Sequence, residues 1–246
     1  MASKKRWKQA QEYERSFWHS ASDRAGSDKA VDFSWYGWRA NNVLNLIKKA
    51  IPDNTPTFTE AKALEVGSGP VGTVSFFDAA ERYALDPLCD FYSTQPALIK
   101  QRNPDVQYRT AQGESLQFDN AYFDLVIIEN VIDHVENPDK VMMEINRVLK
   151  PGAILFLTVN LHPFHGFVLH EIVSKLKIDR GHPHTFTIPK IRRFLKILGF
   201  DILYDEWEDY KECRAKDLES KSSKDRIKGR FGLSEFLFTS VSRKSV

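Results

Sequence analysis

The sequence predicts an α/β protein with a doubly wound, mainly parallel sheet and helices on both of its faces. Three observations carry that expectation. From Ala61 onward, short apolar runs alternate with helical stretches, the order of a parallel sheet wrapped by helices. Two of those runs, Phe123 to Ile128 and Ala153 to Val159, are continuously apolar, as strands covered on both faces must be. A glycine-rich turn also follows the first run, where such sheets bind their ligands.

The elements follow in chain order. Residues 1–60 read as a helical lead-in or lid. Lys4 to His19 mixes charge with Trp7, Tyr13, Phe17 and Trp18 and predicts a helix with a partly apolar face. A polar stretch from Ser20 to Lys29 breaks it, and Arg39 to Ile51 forms a second helix that Pro52 ends. Residues 61–246 read as the α/β domain. Its strands are expected at Ala63 to Val66, Tyr83 to Leu85, Val106 to Tyr108, Phe123 to Ile128 and Ala153 to Val159. Helices are expected between them, at Thr73 to Arg82, Gln95 to Arg102 and Pro138 to Leu149. Lys150-Pro151-Gly152 punctuates a helix-to-strand junction. A helix from Pro189 to Leu198 ends at Gly199, and Asp201 to Trp207 and Glu235 to Val241 read as two last strands. Residues 208–234 are charged and read as a surface excursion.

Composition excludes several classes. With 42% hydrophobic and 28% charged residues the chain is globular, and 246 residues suffice for a real core. A net charge of +2 gives no global basic field, which argues against nucleic acid as the partner. No apolar run is long enough to cross a bilayer, and no signal-peptide core follows Met1. Two distant cysteines, Cys89 and Cys213, fit no zinc or iron–sulfur spacing, and a reducing, cytoplasmic setting is the simpler reading; no metal is expected, although the histidine-rich segment from 162 to 184 leaves one conceivable.

The chemistry centres on Leu64-Glu65-Val66-Gly67-Ser68-Gly69-Pro70-Val71-Gly72. Gly67, Gly69 and Gly72 fit G-x-G-x-x-G, in which glycine permits a tight turn and close ligand approach. Asp86 follows Gly67 by nineteen positions, at the end of the next strand, placed to accept hydrogen bonds from ribose hydroxyls. This leaves a dinucleotide or S-adenosylmethionine as the ligand. Glu65 inside an apolar strand needs a reason, and the ammonium tail of the sulfonium nucleoside supplies one. Gln112-Gly113-Glu114-Ser115-Leu116 follows the third strand, where a loop reaches an adenine. Glu129 and Asn130 end a central strand with polar groups.

On these residues the chain resembles the class I S-adenosylmethionine-dependent methyltransferases, especially the subgroup called type 11. Leu64 to Gly72 is similar to that family's first motif. Leu85-Asp86-Pro87-Leu88 is similar to its acid after strand two, and Gly113-Glu114-Ser115-Leu116 to its adenine loop. Asn130 to Val135 and Ile145 to Gly152 resemble the strand-four and strand-five segments, so the likeness is close over residues 60–160. Ser68, where the family often has cysteine, and Pro70-Val71 depart mildly. The resemblance implies a seven-stranded sheet with an antiparallel C-terminal hairpin. It also implies that Glu65, Gly67, Ser68, Gly69, Gly72, Asp86, Pro87, Leu88, Gly113, Glu114, Ser115, Glu129 and Asn130 hold the cofactor.

Methyl transfer from a sulfonium needs mainly proximity and, for a hydroxyl acceptor, a base. His134 is the first candidate base and Asp133 a second, although His134 reads equally well as a residue that caps a loop. Five of the seven histidines fall between 162 and 184. His162, His165, His182 and His184 are candidates to line an acceptor pocket, or are ordinary loop histidines. Tyr36, among Phe33, Trp35 and Trp38, either lids the site or packs the core, and Arg39 either meets a cofactor carboxylate or forms a surface ion pair. The expected acceptor is a small molecule or glycan methylated on oxygen or nitrogen. A NAD-dependent oxidoreductase and an inert binding module are the alternatives, and oligomeric state stays open.

Overall fold

The computed structural model describes residues 4–24, 32–168 and 184–246. Seven strands form one sheet: β1 (Lys62–Val66), β2 (Glu81–Asp86), β3 (Val106–Thr110), β4 (Phe123–Glu129), β5 (Leu149–Leu161), β6 (Phe200–Trp207) and β7 (Phe236–Lys244). Their order is β3-β2-β1-β4-β5-β7-β6. β1 to β5 run parallel, and β7 lies antiparallel between β5 and β6. The expected doubly wound sheet with its antiparallel C-terminal hairpin is therefore present.

Alternation along β1 sets the two cores. Leu64 and Val66 face one side, where they join α5 (Pro138–Val148) and α6 (Ile188–Ile197) through Val141, Ile145, Ile191 and Leu195. Ala63 faces the other side and packs under α2 (Ser34–Ala50), through Ala40, Val43 and Ile47. The lead-in thus supplies the helix that covers one face of the sheet. The preceding helix, α1 (Lys4–Asp23), contributes Trp18 and Ala21 to a smaller cluster with Tyr92 and Leu98.

Four details differ from the sequence reading. Thr73 to Arg82 is a 3₁₀ turn, Thr73–Phe76, followed directly by β2. The carbonyls that would continue a helix there are taken: Arg82 donates to Ser75 O and Phe77 O, and Asn103 to Ser75 O. Gln95 to Arg102 holds only a four-residue helix, α4 (Pro96–Ile99), with Pro96 in its first turn, and another four-residue helix, α3 (Cys89–Tyr92), precedes that range. Lys150-Pro151-Gly152 lies inside β5, where pairing with β4 jumps from Phe123↔Leu149 to Leu125↔Ile154. Residues 208–234 carry α7 (Tyr210–Glu219) and α8 (Ser223–Phe231), with side-chain N-caps from Asp209 and Ser222 and a left-handed Gly232 closing α8.

Candidate active site

β1 leads straight into the glycine turn. Gly67, Gly69 and Gly72 have φ of +74°, +62° and +82°, which favours glycine at all three. Gly67 N and Ser68 N both donate to Leu85 O, at 2.7 and 3.0 Å, tying the turn to the end of β2. A Cβ on Gly67 would lie 2.3 Å from Val131 Cγ2 in the loop after β4. The turn is therefore held against two neighbouring strand ends, and Gly67 leaves no space for a side chain.

Asp86 straps this turn. Its Oδ2 accepts from Gly69 N at 2.9 Å and its Oδ1 from Leu88 N at 2.8 Å. Burial pushes its carboxyl up to about 6, against the pull of those two amides. Pro87 and Leu88 are half-buried beside it, and Leu88 packs on the Trp18 and Tyr92 cluster. Tyr36 is buried over the turn, its hydroxyl 3.5 Å from Ser68 O.

Glu65 faces the α2 side and is 2% exposed. Its Oε2 accepts from Val74 N at 2.9 Å, so it caps the 3₁₀ turn. Burial and then the charge of Glu129 push it up to about 8, with Arg39 opposing. Glu129 accepts from Thr73 Oγ1 at 2.9 Å and pairs with Arg39 at 3.0 Å. Arg39 lies over the Trp35 ring at 4.8 Å, so its partner in this structure is a carboxylate of the same edge. Glu14 of α1, which the sequence reading did not single out, joins this group. Burial and the charge of Asp86 raise it to about 7, while His134 lowers it. The available signal was its spacing of four from Trp18, which puts both on one face of α1.

The loop after β3 is packed tightly. A Cβ on Gly113 would come within 3.1 Å of both Val66 and Val141. Glu114 Oε1 accepts from Glu136 N and Asn137 N, at 2.9 and 3.1 Å, anchoring the loop to the start of α5. Ser115 and Asn130 are exposed, and Asn130 takes φ +54°.

The glycine turn, the strap acid and the loop after β3 thus lie at one carboxyl edge. Residues 64–157 match the family model described as a methyltransferase domain. Over that stretch the chain is similar to methyltransferase domains, and its seven-stranded sheet has the fold of S-adenosylmethionine-dependent methyltransferases. An uncharacterised protein of Methanocaldococcus jannaschii is 24% identical, over 82% of this chain and 88% of its own. An uncharacterised methyltransferase of Mycobacterium leprae is 35% identical over 44% of this chain, which spans only 40% of that relative's length. In fold, the chain is similar to Haemonchus contortus phosphoethanolamine N-methyltransferase 2 in complex with S-adenosyl-L-methionine. That likeness has a TM-score of 0.57 at 19% identity and covers 92% of this chain and 60% of that one.

Beyond β4 and β5, the chain brings further candidates to the same edge. Asp133 is buried, and its Oδ2 lies 3.6 Å from Nε2 of His134, whose side chain is one-third exposed. His162 is buried after β5, with Nε2 3.5 Å from Glu235 Oε1. Glu235 in turn holds Lys228 of α8 at 2.7 Å. No motif flagged Glu235, because its contact with His162 joins segments distant in sequence. His165 Nε2 meets the Tyr210 hydroxyl at 3.3 Å. His184 Nε2 meets Val135 O at 3.0 Å and its N–H donates to Asp133 O, clasping the loop after β4; burial lowers its pKa. His182 lies outside the described residues. Among the described residues, no group of three His, Cys, Asp or Glu side chains is arranged to hold a metal, and no helix is long and apolar enough to cross a membrane.

Proposed function

We propose that this chain, as a whole, catalyses methyl transfer from S-adenosylmethionine to oxygen or nitrogen of a small-molecule or glycan-type acceptor. The observation that carries the reading is the strapped glycine turn: Asp86 on the Gly69 amide, beside a set of buried acids. That donor set fits the group. A sulfonium nucleoside with an ammonium tail is a cation-bearing ligand; Asp86 and the Arg39-paired Glu129 stand at this edge, and Glu65, raised to about 8, holds a proton that an arriving cation would help it release. Asp86 would accept from ribose hydroxyls, the Gly67–Gly72 turn would pass close to the ligand, and Gly113 to Ser115 would border the adenine. Arg39 and Glu129 would meet the amino-acid tail. When bound, the cofactor supplies an electrophilic methyl group with a neutral thioether as leaving group.

The remaining work falls to the chain's own residues. They orient the acceptor and take its proton. His134 is the proposed base, with Asp133 orienting the imidazole from 3.6 Å. The buried His162, backed by Glu235, is the proposed acceptor-side contact.

A thermal melt with S-adenosylhomocysteine beside NADH tests the reading. At a hundredfold excess over Kd a native-state ligand adds about 2.7 kcal/mol, which raises the midpoint by roughly 5–11 °C. A shift with S-adenosylhomocysteine alone supports it; a shift with NADH alone moves the oxidoreductase reading ahead. His134→Ala is expected to lower kcat about 10²–10⁴-fold with cofactor affinity unchanged. Undiminished turnover in that variant removes His134 as the base.

A further inference from the structure

The α7–α8 hairpin stands between β6 and β7, beside the His162–Glu235 pair, to which Lys228 ties it. α8 has two unlike faces. Gly229 lies against Leu218 of α7, where a Cβ would come within 2.9 Å, and Arg226 donates to Ser220 O and Lys221 O. On the other face Lys224, Ile227 and Phe231 follow at helical spacing. Ile227 is 53% exposed and Phe231 65%. A third apolar side chain stands near them. His165 and Gly166 pack on Gly232, so Phe164 and Phe231 each directly precede a residue of that contact, and Phe164 is 78% exposed. Residues 221–230 carry five basic side chains and one acidic. Lys221, Lys224 and Arg230 are exposed, and Asp225, the single acid, is engaged by Ser220.

Bulky apolar side chains that protrude into solvent among lysine and arginine call for a partner that is both apolar and anionic. We propose that the outer face of α8, with Phe164, is a docking surface for an anionic lipid bilayer. Phe231, Ile227 and Phe164 enter the region between headgroups and acyl chains, while Lys221, Lys224 and Arg230 meet the headgroup phosphates and carboxylates. RNA fits this face less well: an isoleucine at its centre offers no stacking plane, and base stacking is what aromatic residues contribute to single-strand binding. Docking presents the carboxyl edge of the sheet to the membrane surface, because Lys228 and Glu235 join α8 to His162 there. The inference is measured without turnover and stands apart from the methyl-transfer reading.

The test is sedimentation of the full chain with phosphatidylcholine vesicles, with and without phosphatidylserine. Binding is expected to phosphatidylserine vesicles and to fall as salt rises. Each basic residue near an anionic surface contributes about fivefold in affinity, so K224A/R230A is expected to bind roughly thirtyfold more weakly. I227S/F231S, and separately Phe164→Ser, are expected to weaken binding while circular dichroism and the melting midpoint stay unchanged, since all three positions are exposed. The proposal is overturned if the wild-type chain binds both vesicle types equally or neither. It is also overturned if I227S/F231S and Phe164→Ser bind like wild type. Polyuridylate or polyglutamate displacing the vesicles, with binding to it unaffected by I227S/F231S, would assign the face to RNA or to an acidic protein instead.

Discussion

At the carboxyl edge of the parallel strands, burial raises Glu65 to about 8, Glu14 to about 7 and Asp86 to about 6. At the amino edge, Glu81 opens β2 under opposite conditions. Its Oε1 pairs with Lys62 at 2.8 Å, and its Oε2 accepts from the hydroxyls of Tyr83 and Tyr122 at 2.7 and 2.8 Å. These contacts, with Lys62 foremost, hold its carboxyl down at about 2. The same sheet thus satisfies an acid with cation and hydroxyl partners at one edge and concentrates buried acids at the other, where we propose that the ligand is held. Perturbed acids gathered in one place mark a candidate functional site.

The largest expected effect is on ligand binding. Asp86→Asn keeps the shape and acceptor oxygen but loses the charge that strengthens hydrogen bonds from ribose hydroxyls. Titration calorimetry should show Kd for S-adenosylhomocysteine raised roughly 10²-fold or more. Glu81→Gln, the amino-edge counterpart, should leave that Kd unchanged. Equal losses in both variants would erase the distinction between the edges.

Next comes Gly67→Ala. Positive φ costs a residue with a Cβ roughly 1–2 kcal/mol, and the clash 2.3 Å from Val131 adds about 1–3 kcal/mol of overpacking. The melting midpoint should therefore fall by roughly 4–20 °C, with ligand binding lost alongside.

The pH dependence separates the edges by sign. Glu65 has a folded-state pKa raised from 4.5 to about 8, so the folded chain holds a proton that the unfolded chain releases. Its contribution is full below the unfolded value near 4.5 and is lost as pH rises toward 8. Each pH unit in that interval costs at most about 1.4 kcal/mol. Asp86 and Glu14 act in the same direction over narrower intervals. Glu81, held down at about 2, contributes fully above its unfolded value of 4.5 and loses that contribution as pH falls toward 2. Melts between about pH 3 and pH 9 should show Glu65→Gln flattening the alkaline decline and Glu81→Gln flattening the acid one. Curves that superimpose on wild type would contradict both assignments.

How much of this was legible in the sequence depended on how local the cause was. The buried runs of β4 and β5 and the glycine turn follow from neighbouring residues, so sheet and turn could be read directly. Thr73 to Arg82 could not, because Arg82 and Asn103 take carbonyls of the turn from outside it. α7 and α8 were hidden by uniform charge, although Asp209, Ser222 and Gly232 are ordinary capping residues. In the site, Glu65 was visible as an acid in an apolar strand, but its hydrogen bond to Val74 N was not. Glu14 and the chain from His162 through Glu235 to Lys228 depend on contacts across the fold, which no spacing rule reports.

Gly152 gives the smallest effect and the sharpest control. It lies at the amino edge, near the start of β5, with φ +77°, almost the value of Gly67. A Cβ there would meet nothing within 4 Å. Gly152→Ala therefore carries the conformational cost without the clash, and the unfolded chain's reduced freedom offsets part of that. The net cost should be about 1 kcal/mol, a fall of roughly 2–4 °C in the midpoint, with S-adenosylhomocysteine affinity intact. If Gly152→Ala costs as much as Gly67→Ala, positive φ alone explains both glycines and the close approach of Val131 is irrelevant. If it costs clearly less, what demands glycine at Gly67 is the packing of the turn against the loop after β4, the same packing that brings Asp133 and His134 to the site.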